Sequence, residues 1–61
     1  MFNPITGPGF YLMRNGQVTE LRQEIGYLVS VEGFAYSRKK EGNRVFEGVT
    51  TPFDIVEKVD D

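Results

Sequence analysis

Apolar and polar positions along the chain alternate over short stretches, and glycine, proline or asparagine interrupts them before a helix of ten residues could form. Gly9–Met13 opens the pattern as a first strand, its Phe10, Tyr11 and Leu12 bulky enough to favour a pleated backbone. Arg14-Asn15-Gly16 follows, and Asn-Gly tolerates the positive φ angles of a type I′ turn, so a tight hairpin is predicted at Asn15-Gly16. Gln17–Arg22 is the returning strand, carrying Val18, Thr19 and Leu21, and Gln23-Glu24 is a weak break. Ile25–Glu32 alternates with Ile25, Tyr27, Val29 and Val31 on one face and Gly26, Leu28 and Ser30 on the other. Glu32-Gly33 reads as a second turn before Phe34–Lys39, with Phe34 and Tyr36 on one face. Residues 39–43 are charged and contain Gly42, which predicts an exposed hairpin loop, and 43–47 returns with Val45 and Phe46. Residues 48–52 turn again, and Phe53–Val59 closes the chain as a strand in preference to a single helical turn.

These segments predict a mainly β fold, a small antiparallel barrel or sandwich of five or six strands spaced roughly eight to twelve residues apart, SH3-like or OB-like in size. A helix over Val18–Val31 is the weaker alternative, because Gly26 interrupts it and no N-cap starts it. The expected division is an irregular arm over 1–8, where Pro4, Gly7 and Pro8 cannot sustain a ladder, one domain over 9–59, and a frayed Asp60-Asp61 tail. Phe2 and Ile5 of the arm are placed to plug one end of the core.

The length of 61 residues sharpens the picture. A chain this size buries only about 60% of the surface its unfolded form exposes. With no cysteine there is no disulfide and no Cys-based metal site, and with no histidine the commonest general base and metal ligand is missing. Eight aromatics, three tyrosines and five phenylalanines, and self-association are the remaining supports, so a homo-oligomer is expected. Phe10, Tyr27, Phe34, Phe46 and Phe53 are assigned to the core. Tyr11 and Tyr36 are assigned to an exposed contact patch, since tyrosine tolerates one wet end and one dry end.

The run Gly9-Phe10-Tyr11-Leu12-Met13-Arg14-Asn15-Gly16 resembles the opening of small phage and prophage proteins of uncharacterised function: an aromatic strand, an Arg-Asn-Gly turn and a short apolar strand. The closing segment of those proteins is similar to Pro52-Phe53-Asp54-Ile55-Val56. The resemblance implies an accessory protein acting in the cytoplasm of a bacterial host.

Candidate chemistry is sparse. Without histidine, Thr6, Thr19, Ser30, Ser37, Thr50 and Thr51 lack the usual activating base, and Ser37 with Lys39 reads as a surface pair. No spacing singles out a carboxylate pair, Asp60-Asp61 reads as a solubilising end, and Gly7, Gly9 and Gly16 are not followed by the Gly-Lys-Ser/Thr of a phosphate loop. No catalytic residue, cofactor or metal is therefore expected. Nor is a membrane span or leader, because the apolar runs are only a few residues long. Arg38-Lys39-Lys40, with Arg44 across the loop and Phe34 and Tyr36 beside it, could either support stacked bases or simply solvate a hairpin tip. A net charge of −2 lowers the odds of a nucleic-acid partner. The expected function is a non-catalytic protein-interaction module of phage type, with Tyr11, Arg14, Phe34, Tyr36, Arg38 and Arg44 as partner-binding residues. The alternative is a nucleotide or single-stranded nucleic-acid binder using the 36–44 hairpin.

Overall fold

The computed structural model describes residues 3–46 and 48–59. Five strands, β1 (Gly9–Met13), β2 (Val18–Glu24), β3 (Tyr27–Ser30), β4 (Ala35–Tyr36) and β5 (Ile55–Val59), form one antiparallel sheet in the order β4-β3-β2-β1-β5. The sheet curls into a half-barrel, and there is no helix among the described residues. Within it, β1 to β4 run as a meander of hairpins, while β5 returns from a long connection to pair with the free side of β1. That pairing shifts register between Leu12 and Met13, and such a bulge adds local twist. Five strands in one sheet answer the expected barrel or sandwich; the predicted strand over 43–47 is not formed.

The turns explain the meander. Met13 N–H donates to the Gln17 carbonyl at 2.7 Å and Gly16 N–H to the Met13 carbonyl at 2.9 Å. Ser30, Gly33 and Phe34 repeat this pattern, both bonds at 2.9 Å. Gly16 and Gly33 carry φ of +91° and +98°, while Asn15 and Glu32 keep negative φ. Both are three-residue loops, a turn ending in a glycine bulge, and not the type I′ turn predicted at Asn15-Gly16. Between them, β2 runs through the expected break at Gln23-Glu24, and a two-residue connection at Ile25-Gly26 pairs Glu24 with Tyr27.

Register then decides which residues are buried. Thr19 and Leu21 point inward from β2, so Leu28 and Ser30 point inward from β3. Tyr27, opposite Glu24, is turned out. The face expected to be buried is therefore the outer one: Ile25 lies in a turn, fully exposed, and Val31 caps another. The core is Ile5, Tyr11, Met13, Leu21, Leu28, Tyr36 and Ile55, with Phe34 and Val45 packed against it. Of the aromatics assigned to the core, Phe10, Tyr27, Phe46 and Phe53 are instead exposed. Ile5 closes one end as expected; Phe2 lies outside the described residues, as does the Asp60-Asp61 tail.

Between β4 and β5, residues 37–54 make successive turns with one isolated bridge, Phe46 to Val49. The buried Asp54 carboxylate organises this segment. It accepts from Val45 N–H (3.2 Å), Thr51 N–H (3.0 Å) and the Thr51 hydroxyl (2.8 Å), and the Arg14 guanidinium lies 3.7 Å away. The Val45 N–H is thus taken by a side chain and not by a ladder, which is why no strand forms there. Burial alone would raise the Asp54 pKa, but the Thr51 and Val45 hydrogen bonds and the Arg14 charge outweigh it and hold the carboxyl below its usual range.

Candidate functional site

The six residues predicted to bind a partner do not form one surface. Tyr11 and Tyr36, expected to be exposed, are 0% and 2% exposed. Their rings fill the core and their hydroxyls are consumed by backbone groups. The Tyr11 hydroxyl donates to the Gly7 carbonyl (2.6 Å) and accepts from Thr6 and Gly7 N–H (3.1 and 3.3 Å); that of Tyr36 donates to the Phe53 carbonyl (2.6 Å). Phe34 is half-buried with its ring centroid 5.0 Å from that of Phe53. Arg14 is exposed but faces Asp54, and its N–H donates to the Asp54 carbonyl at 2.8 Å.

Arg38 and Arg44 behave differently. They border two adjoining shallow clefts beside β3 and β4, of about 340 and about 430 Å³. Tyr27, Ser37 and Lys39 line both clefts; Lys40 and Arg44 belong to the first and Arg38 to the second. The local fold builds this site tightly. Ser37 N–H donates to the Gly42 carbonyl (3.0 Å) and Gly42 N–H to the Lys39 carbonyl (2.7 Å). A side chain at Gly42 would overlap the Ser37 carbonyl. The arm reaches the same loop, where the Asn3 side chain donates to the Ser37 carbonyl at 3.0 Å.

Electrostatically the clefts are one-sided. Glu41 stands 4.0 Å from Arg44. Arg38 donates to the Gln23 side-chain oxygen (3.2 Å). Lys39, Lys40 and Arg38 form no ion pair with any described carboxylate. Such a surface can take up an extended, negatively charged ligand, with the half-exposed Tyr27 ring as its flat contact. Tyr27 is the residue that sequence reasoning missed. The signal was available in β2, where charged residues occupy alternate positions Glu20, Arg22 and Glu24; a tyrosine following a two-residue turn after Glu24 shares their outward face.

Comparisons with protein-family models, curated proteins and solved structures found no match for the chain. No described helix is long and apolar enough to cross a membrane.

Proposed function

We propose that the protein is a non-catalytic protein-interaction module whose working surface is the basic double cleft around Tyr27, and that it takes an acidic polypeptide segment of its partner. One observation carries this reading: Arg38, Lys39 and Lys40 sit unpaired among the described residues around a half-exposed tyrosine, in a loop held rigidly by Ser37, Gly42 and Asn3. Tyr and Arg are the residue types on which interface energy concentrates. The resemblance of Gly9–Gly16 and Pro52–Val56 to small phage proteins supports an accessory role in a bacterial host.

The same ring beside the same cations favours a second reading, a single-stranded nucleic acid stacked on Tyr27. Fluorescence anisotropy with a labelled Glu/Asp-rich peptide and a labelled oligothymidine, each at low and high salt, separates the two. The peptide is expected to bind saturably, and Lys39→Glu with Lys40→Glu to abolish it while the fold persists. Preferential retention of the oligonucleotide, with a steep salt dependence, supports the second reading. Failure of both probes at low salt overturns the cleft as a binding site.

A further inference from the structure

An antiparallel sheet with one solvated face ordinarily alternates apolar inward and polar outward. β1 does not. Phe10-Tyr11-Leu12-Met13 is an unbroken apolar run on a strand flanked by β2 and β5, the pattern of a strand covered on both faces. The inward pair, Tyr11 and Met13, is covered by this chain; the outward pair is not, and Phe10 is 46% exposed. Register extends the uncovered patch sideways. Phe10 stands opposite Val59, and Leu12 stands opposite Val18, itself 54% exposed. Glu20 and Glu57 occupy the remaining opposite positions, at two corners of the patch.

We propose that this outer face of β5-β1-β2 is a twofold interface with a second copy of the chain, the two sheets packing face to face. Charge selects the occupant. The outward row of β2 reads Glu20, Arg22, Glu24. A twofold axis placed at the registered pair Gly9–Leu21 sets Glu20 of one copy against Arg22 of the other, twice, and brings the two Phe10 rings to either side of the axis. A sheet-on-sheet spacing of about 10 Å accommodates these side chains. The size is adequate: a standard interface takes about 800 Å² per partner, roughly a fifth of a surface of 4032 Å². A short chain with a seven-residue core has most to gain from such burial.

The patch lies on the β5-β1-β2 side, away from the cleft beside β3 and β4, and the readout is mass, so the two proposals fail separately. Light scattering across a dilution series should give twice the mass of the chain for the native protein and half that value for Phe10→Glu, with circular dichroism unchanged. Arg22→Glu should also give the monomer, and Glu20→Arg added to it should restore the dimer. Because that rescue needs both copies to carry the swap, it also stands in place of Phe10→Glu if that variant fails to fold. A native chain that is monomeric at every concentration, a dimer indifferent to both Phe10→Glu and Arg22→Glu, or a charge swap that does not rescue overturns the proposal. So does a monomer that uses the patch to bind a different protein.

Discussion

At the residue scale, Tyr11 shows how a polar atom fixes the structure around it. Its ring is core, yet its hydroxyl meets three backbone groups of the arm, and Lys58 Nζ lies 5.9 Å above the ring. Burial opposes ionisation of this phenol, but the hydrogen bonds from Thr6 and Gly7 and the Lys58 charge prevail and draw its pKa below the usual value. Tyr11→Phe keeps the ring and orphans those backbone groups, so it should cost about 2 kcal/mol in denaturant unfolding. The loss should be local first: hydrogen exchange at Thr6 and Gly7 should accelerate before that of β2. A Tyr11→Phe protein with unchanged stability and unchanged exchange in the arm would show that the ring alone anchors it.

At the scale of elements, the turns decide the register and the register decides the faces. Gly33 and Gly16 hold equivalent bulge positions at positive φ with open space around them, so Gly33→Ala and Gly16→Ala meet no clash and report backbone strain alone, about 1 kcal/mol each. Gly42 is constrained differently. Gly42→Ala must push its loop off Ser37, and it should cost more than either turn glycine while also weakening peptide capture at the cleft; equal costs at all three positions would contradict the tight loop. These elements were unevenly legible. β1, both glycine turns and β5 could be read from residues, because a turn glycine and a short apolar run are local signals. The inward face of β3 was not legible, since Tyr27 and Val29 are as apolar as Leu28 and only pairing with β2 chooses between them. Nor was the segment 43–47, whose Val45 N–H is captured by Asp54, nine residues further on. The cleft was half legible: Arg38, Lys39, Lys40 and Arg44 stood out as a charge cluster, but Tyr27 joins them only through the β3–β4 pairing.

At the scale of the whole molecule, the absence of histidine and cysteine leaves no side chain with an ordinary pKa between the carboxylates and the phenols, so stability should be nearly level across neutral pH. The two limbs then have named owners. On the acid side, Asp54 is held below its ordinary value, and Glu32 as well, through hydrogen bonds from its own N–H and Thr19 working against burial. A depressed carboxyl supplies stability that is present above its unfolded pKa and is lost as pH falls through the folded one. Asp54→Asn should therefore lower stability at neutral pH and flatten the acid limb. On the alkaline side the tyrosines pull in opposite directions. Burial, with the Glu32 and Asp54 charges, pushes Tyr36 up to about 12 from 10.0, so its contribution is complete below pH 10 and is lost as pH rises through 12, about 3 kcal/mol in all. Tyr11, with its lowered pKa, ionises in the folded chain before the unfolded one and adds stability over the interval just below pH 10. Denaturation curves taken from pH 8 to 12 should accordingly show a slight rise followed by a steep fall. Tyr36→Phe should remove much of the fall and Tyr11→Phe the rise, whereas a fall that survives intact in Tyr36→Phe would mean that this phenol ionises freely in the folded protein and is not sealed against the Phe53 carbonyl.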